Sequence, residues 1–166
     1  MQEKKETGIP RAGDRFMQAA LEEAYDGIRH GHGGPFGSVI VRDGAIIGRG
    51  HNRVLEKSDP TCHGEIEAIR DACANRGSHD LKGCILYTTG EPCPMCLFAC
   101  LWANIDRIFY GCPLEENSRI GFRDKDMNAM VTGRERMRRS GFLVCIDREA
   151  CVKLFQDYLS MEHGTY

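Results

Sequence analysis

The alternation of apolar and polar positions in the first third of the chain predicts a helix followed by a hairpin. Apolar side chains recur at intervals of three and four residues over 15–30, which places them on one helical face. The residues of this face are Met17, Leu21, Ala24 and Ile28. Asp14 precedes them as a helix cap. Two apolar stretches, 38–41 and 45–48, flank Asp43-Gly44, a strong signal for a hairpin turn.

The remaining pattern alternates short apolar strands with helices. The predicted helices are 63–75, 94–103 and 148–159, and the predicted strands are 84–88, 107–110 and 142–146. Pro94 suits the first position of its helix because it has no backbone N–H to leave unpaired. Such an alternation is typical of a layered α/β domain with a mixed sheet. Residues 113–140 show no clear period.

Composition and charge limit the classes of protein to which this chain can belong. The length of 166 residues predicts one domain, over 12–166, behind a flexible polar tail, 1–11. The net charge is −2, and no apolar run is long enough to span a membrane. The negative balance argues against a nucleic-acid partner. Nine cysteines without an export signal indicate a reducing cytoplasm, where Cys62 and Cys100 are interpreted as packing residues.

Two short segments carry the candidate chemistry. Cys62-His63-Gly64-Glu65 contains H-x-E, and Glu91-Pro92-Cys93-Pro94-Met95-Cys96 contains P-C-x-x-C. This combination is the signature of zinc deaminases, in which one His and two Cys hold Zn²⁺ and an unligated Glu moves protons. We therefore expect His63, Cys93 and Cys96 to bind one zinc ion and Glu65 to act as the proton shuttle. Three protein ligands leave a fourth position for the water that attacks the substrate.

Other interpretations of the same residues stay open. A C-x-x-C pair also occurs in zinc knuckles and in redox sites. A zinc-stabilised binding module without catalysis would need neither Glu65 nor an open metal position. The presence of H-x-E upstream, of the prolines and of two strand-to-helix contexts favours the hydrolytic site.

At these residues the chain resembles the cytidine-deaminase-like superfamily, and within it the bacterial guanine deaminases. The resemblance extends from about Phe16 to the C-terminus. Its supporting segments are Gly33-Gly34-Pro35-Phe36-Gly37, Gly50-His51-Asn52, Asp59-Pro60-Thr61, Leu101-Trp102-Ala103, Ile120-Gly121-Phe122-Arg123-Asp124 and a terminal Tyr166. It implies a three-layer α/β/α fold with a mixed sheet of about five strands.

The resemblance also assigns a substrate pocket and an assembly. Phe36 would lie against a purine ring, Asn52 would bond its polar edge, and Trp102 would form a pocket wall. Asp124 and Tyr166 would reach the ring edge, and the tail from His163 would act as a lid. The implied substrate-binding residues are Phe36, Asn52, Gly64, Trp102, Asp124 and Tyr166. A homodimer with a swapped C-terminal segment is implied, because exchange of a terminal element is a low-cost route to a dimer.

Two positions differ from the guanine pattern and keep other substrates open. Gly64 stands where those enzymes more often have Ala, and Arg123 stands where an acidic residue is more usual. The expected reaction is hydrolysis of guanine to xanthine and ammonia. The alternatives are cytosine deamination, tRNA adenosine deamination and deamination of another aminated heterocycle or nucleoside. A basic cluster at 133–139 could meet RNA phosphates, but the negative net charge favours a solvated loop or helix face there.

Overall fold

The computed structural model describes residues 13–131 together with 148 and 152. Internal contacts divide the chain into two units, residues 1–128 and residues 129–166. The description below concerns the first unit and the helix that ends it. No helix among the described residues is both long and apolar enough to cross a membrane.

Six helices and four strands alternate along the described residues. The helices are α1 (Arg15–Arg29), α2 (Val54–Lys57), α3 (Gly64–Arg76), α4 (Pro94–Trp102), α5 (Leu114–Arg119) and α6 (Asp124–Val131). The strands are β1 (Gly37–Arg42), β2 (Ala45–His51), β3 (Ile85–Gly90) and β4 (Arg107–Cys112).

The sheet is mixed, with the strand order β2-β1-β3-β4. β1 pairs antiparallel with both β2 and β3, whereas β3 and β4 run parallel. The parallel pair is joined through α4, as a parallel connection requires. The carboxyl ends of β3 and β4 therefore meet at one edge of the sheet, and the segment with both candidate cysteines begins just after β3.

Helices cover both faces of this sheet. On one face α1 contributes Ala19 and Ala20 to a core that includes Val39, Val41 and Tyr87. On the other face α3 and α4 close a second core; its members are Ile40, Ala68, Ala72, Leu81, Cys84, Leu86, Cys100 and Ala103. Consecutive residues of β1 alternate between the two cores, as the pleat of a strand requires. The three-layer arrangement is thus confirmed.

Glycines on β2 allow α3 to pack directly against the strand backbone. A Cβ at Gly50 would lie 2.4 Å from the amide nitrogen of Ala68, and one at Gly48 would lie 2.6 Å from the Ala68 carbonyl oxygen. Both separations are too short for any side chain, so glycine sets the distance between helix and sheet. This close contact fixes the start of α3, where two candidate site residues lie.

Most of the predicted elements agree with the structure to within three residues. Asp14 caps α1 by accepting from the backbone N–H groups of Phe16 and Met17. The turn at Asp43-Gly44 has positive φ at both residues, as a tight hairpin turn needs. The described sheet has four strands rather than about five, because the fifth predicted strand, 142–146, lies outside the described residues.

The region without a clear pattern holds α5 and α6, which the sequence did not predict. Of the predicted helix 148–159, only Arg148 and Val152 are described, and both are helical. The predicted flexible tail, 1–11, lies outside the described residues. The single domain over 12–166 stays a prediction.

Candidate active site

His63, Cys93 and Cys96 converge at the start of two neighbouring helices. Their ligand atoms all lie within 4.8 Å of one another, and among the described residues they form the one group able to hold a metal ion. The His63 Nδ1 atom is 3.6 Å from Cys93 Sγ and 3.5 Å from Cys96 Sγ. Tetrahedral zinc, with bonds of about 2.0 Å to nitrogen and 2.3 Å to sulfur, separates such atoms by about 3.5 Å. The donor set and its spacing therefore fit one Zn²⁺.

Local backbone conformation produces this convergence. His63 is the residue before α3 and Cys93 the residue before α4, and both have extended backbone there. Pro94 follows as the first residue of α4. Cys96 lies one turn into that helix, so it returns to the same face as Cys93. The first turns of both helices also carry partial positive charge, which favours thiolates at this place.

The two sulfurs differ in their affinity for a proton. A hydrogen bond from the Cys96 thiol, supported by His63, lowers the pKa of Cys93 to about 4. The same bond, together with burial, raises the pKa of Cys96. The two opposite shifts arise from one shared proton, and a bound dication would take the place of that proton.

Glu65 is buried beside these ligands. Only 5% of its surface is exposed, and burial raises the pKa of its carboxyl to about 7. The nearby Cys93 sulfur raises this pKa further, whereas the imidazole of His63 lowers it. A carboxyl group whose pKa lies near neutrality can both accept and donate a proton at physiological pH, which is the property required of a general acid–base.

A cavity of about 730 Å³ opens over the metal group. His63 and Cys93 line its floor, and the other polar lining residues are Asn52, Thr61, Arg123 and Asp124. Most of the remaining lining is apolar; among these residues are Val54, Leu55, Met95, Phe122 and Met127. A mostly apolar pocket with a few polar groups near a metal is typical of a small-molecule site.

Two of the predicted substrate-binding residues line this cavity. The side-chain oxygen of Asn52 accepts a hydrogen bond from the N–H of Val54, the first residue of α2, at 3.2 Å. Burial raises the pKa of Asp124, the first residue of α6, and the nearby Cys93 acts in the same direction. The structure thus brings both residues to the cavity that contains the metal group.

Phe36 lies one layer behind the cavity lining. Its ring packs edge-to-face on Phe122 with centroids 4.7 Å apart, and Phe122 lines the cavity. Gly64 is buried in the first turn of α3, where a Cβ would lie 2.9 Å from the Phe36 carbonyl oxygen. Gly64 therefore sets the spacing between the metal helix and the segment that carries Phe36.

Two other predicted substrate-binding residues, Trp102 and Tyr166, are not among the described residues that line this cavity. Trp102 ends α4 with 68% of its surface exposed and is not part of the cavity lining. Tyr166 lies outside the described residues. Their assignment to the substrate pocket stays a prediction. Cys62 and Cys100, interpreted as packing residues, are both buried.

Sequence reasoning missed Asn117, which is buried next to the site. Its side-chain amide donates to Asp124 Oδ2 at 3.2 Å and to the backbone oxygen of Glu91 at 3.4 Å. The residue lies in α5, inside the stretch without a periodic pattern. Its polar type in an otherwise charged segment was the only available signal, and that signal does not distinguish a buried amide from a surface one.

A family model now adds to this geometry. The model of the cytidine and deoxycytidylate deaminase zinc-binding region matches residues 10–112. The chain belongs to this family. Since the match includes His63, Glu65, Cys93 and Cys96, the protein is a zinc-dependent aminohydrolase, and its His/Cys/Cys group is positioned to hold one ion.

Individual relatives of this deaminase extend the likeness. It is 48% identical to guanine deaminase of Bacillus subtilis over 111 residues, which are 67% of this chain and 71% of that protein. The X-ray structure of the B. subtilis guanine deaminase has a TM-score of 0.81 and 34% identity, covering 94% of this chain and 99% of the other. A tRNA-specific adenosine deaminase of Aquifex aeolicus is 41% identical over 95 residues, 57% of this chain and 62% of that protein.

Proposed function

We propose that this deaminase hydrolyses guanine to xanthine and ammonia. The observation that carries the proposal is the pair Asn52 and Asp124 on a cavity above the metal group. An amide and a carboxylate can together bond the donors and acceptors along a purine edge. The likeness to B. subtilis guanine deaminase, which covers 94% of this chain, supports the same substrate.

Glu65 is assigned the proton transfers. A zinc ion bound by His63, Cys93 and Cys96 would lower the pKa of a coordinated water and so supply the nucleophile. Glu65 would take one proton from the attacking water and deliver it to a ring nitrogen of the base. As the water oxygen bonds to the carbon that bears the amino group, Glu65 would take up the second proton and pass it to the amino nitrogen. The carbon–nitrogen bond then breaks, ammonia leaves, and the oxygen remains as the carbonyl of the product.

The cavity walls are assigned the positioning of the base. Phe122, supported edge-to-face by Phe36, presents an apolar surface next to Asp124. Asn52 can use its amide N–H groups toward the base because its oxygen is already bonded to the Val54 N–H. The half-buried Asp124 would accept hydrogen bonds from ring N–H or amino groups. Such buried polar contacts discriminate strongly against analogues that lack the matching group.

A panel of bases and nucleosides tests the substrate. Purified protein loaded with zinc is offered guanine, cytosine, adenine, guanosine and cytidine at equal concentrations, and ammonia release is measured. We expect guanine to have the highest kcat/KM. A higher value for cytosine would reject the guanine proposal while keeping the deaminase chemistry. Ammonia release from none of the panel would also remove the assignment to nucleobases.

A tRNA adenosine deaminase is the second candidate. The 41% identity to the A. aeolicus enzyme favours it, although that match spans 57% of this chain. An RNA substrate requires phosphate contacts, and binding would then weaken steeply with salt. Inosine formation in a tRNA anticodon stem, with salt-sensitive binding, would replace the guanine proposal.

We also propose that the protein forms a homodimer whose C-terminal segment closes the substrate site. Five apolar residues on α4 are exposed; they are Met95, Leu97, Phe98, Leu101 and Trp102. Exposed apolar patches commonly mark contacts between proteins. Light scattering of the purified protein should give twice the monomer mass. Deletion of residues 163–166 should lower turnover and leave zinc content unchanged, whereas unchanged kinetics would remove the tail from the mechanism.

A cytoplasmic location completes the proposal. The described cysteines are all free thiols, which is typical of a reducing compartment. Fractionation of cells that produce the protein should place it with cytoplasmic markers.

A further inference from the structure

Asn117 connects the two halves of the candidate site. It lies in α5 and is 2% exposed, so its amide is almost wholly removed from water. Its Nδ2 atom donates to the Asp124 carboxylate at 3.2 Å and to the Glu91 carbonyl oxygen at 3.4 Å. Glu91 immediately precedes Pro92 and the candidate ligand Cys93. One buried side chain therefore contacts both the metal-binding segment and the cavity wall that Phe122, Arg123 and Asp124 form.

The orientation of the amide follows from these partners. Both the Asp124 oxygen and the Glu91 carbonyl can only accept, so the NH₂ group must point toward them. The side-chain oxygen then lies toward Gly90, where a Cβ would be 3.2 Å away. Glycine at position 90 leaves room for the Asn117 amide at the end of β3.

Asn117 also positions the segment between itself and Asp124. Its backbone oxygen accepts from the Phe122 N–H at 3.2 Å. Phe122 in turn lines the cavity and packs on Phe36. The side chain and the backbone of one residue therefore hold the two features of this wall, a carboxylate and an aromatic ring.

We propose that Asn117 is a positioning residue for substrate recognition. By occupying Asp124 Oδ2, it directs the other carboxylate oxygen toward the edge of the bound base, and through Glu91 it fixes the distance of that oxygen from the metal group. This proposal rests on the assignment of Asp124 to base binding under the proposed function. It adds a residue outside both metal-binding segments to the machinery that determines specificity.

A double-mutant cycle with guanine as the probe tests this role. Asn117→Ala should raise KM about ten- to a hundred-fold with a smaller change in kcat, because a hydrogen bond to a charged group is lost. In an Asp124→Ala background the same substitution should change KM less than two-fold, since its target is gone. Zinc content should be unchanged in all four proteins.

Asn117→Leu keeps most of the volume of the side chain if the alanine variant folds poorly. A leucine cannot donate to Asp124 or to Glu91, so a KM increase similar to that of Asn117→Ala is expected. Asn75→Ala is the matched control, because Asn75 donates to the Ile47 carbonyl oxygen on the surface, away from the cavity. It should leave kcat and KM unchanged.

The outcomes separate this inference from the proposed function. An equal loss of kcat/KM from Asn117→Ala in both backgrounds would mean a general structural role and overturn the inference, even if wild type deaminates guanine. Failure of wild type to deaminate guanine would reject the proposed function instead. The cycle would then be measured with the base that wild type does deaminate, and additive effects there would overturn the positioning role as well.

Discussion

The floor of the cavity and this wall of it are built in different ways. The metal group lies directly at the starts of α3 and α4, and its three ligands come from two short segments. The wall comes from the segment before α6 and from α6 itself, and side-chain contacts, including one from Asn117 in α5, hold it together. Backbone geometry thus positions the reactive groups, whereas Asn117 and Phe36 position the groups proposed to contact the base.

This difference separates chemistry from specificity. Extended backbone before each helix and close packing of α3 on the glycines of β2 leave the floor little freedom. The wall depends on a few hydrogen bonds and one aromatic contact, so a substitution there can move a carboxylate without disturbing the metal. Changes in the floor should therefore abolish the reaction, and changes in the wall should alter affinity for the substrate.

Cys93→Ser gives the largest expected effect. A serine hydroxyl is a poor replacement for a thiolate, so zinc should be lost and ammonia release should fall to background. Elemental analysis and the ammonia assay measure both. Cys112→Ser is the control, because Cys112 is exposed on β4. This variant should retain its zinc and its ammonia release. A fully active Cys93→Ser protein would remove Cys93 from the metal group.

Glu65→Gln should separate binding from chemistry within the floor. Glutamine keeps the shape but cannot exchange a proton, so kcat should fall by about 10²–10⁴-fold. Zinc content should stay at one ion per chain, because Glu65 is not part of the ligand set. Turnover close to wild type would contradict the role of Glu65.

The sequence predicted the residues of the floor because the members of each pair are close together along the chain. His63 and Glu65 are two residues apart, Cys93 and Cys96 three apart, and each pair has a fixed place at the beginning of a helix. The helix periodicity and the hairpin turn likewise depend on neighbouring residues. The same local rules predicted α1 and the four described strands.

The wall could not be predicted in this way because some of its contacts are long-range and the others fall in a segment without a clear period. Asn117 and Glu91 are 26 residues apart, and Phe36 and Phe122 are much farther apart along the chain. α5 has six residues and α6 eight, too short for a helical period to be clear in a charged segment. Asp124 was identified only through the family resemblance, which gave no information about the side chain that holds it.

Phe122→Ala should weaken the wall and leave the floor intact. Loss of the edge-to-face contact with Phe36 removes about 0.5–1.5 kcal/mol beyond burial, so KM for guanine should rise about two- to ten-fold. Zinc content should be unchanged, and kcat should change less than KM. Tyr25→Ala, which removes an exposed aromatic ring from α1, should leave both constants unchanged. A drop in zinc content with Phe122→Ala would mean that the two regions are not independent.

The smallest expected effect is that of Glu67→Gln on the free energy of unfolding, because Glu67 of α3 forms an ion pair with Lys57 of α2. Glu67 is 8% exposed and accepts from Lys57 and Arg70 at 2.5 Å. Burial opposes ionisation, but these bonds outweigh it and lower the pKa of Glu67. Glu67→Gln should therefore reduce the free energy of unfolding by about 1 kcal/mol at pH 7. Because the folded-state pKa is the lower one, this contribution is present above pH of about 4.3 and is lost as the pH falls through the folded value. Urea unfolding of both proteins at pH 7 and in acid measures the difference.

Glu116→Gln, which breaks an exposed pair with Arg119, is the matched control and should cost only about 0.3 kcal/mol. Equal costs for the two variants would show that the floor gains no more from its buried ion pairs than the wall gains from an exposed one.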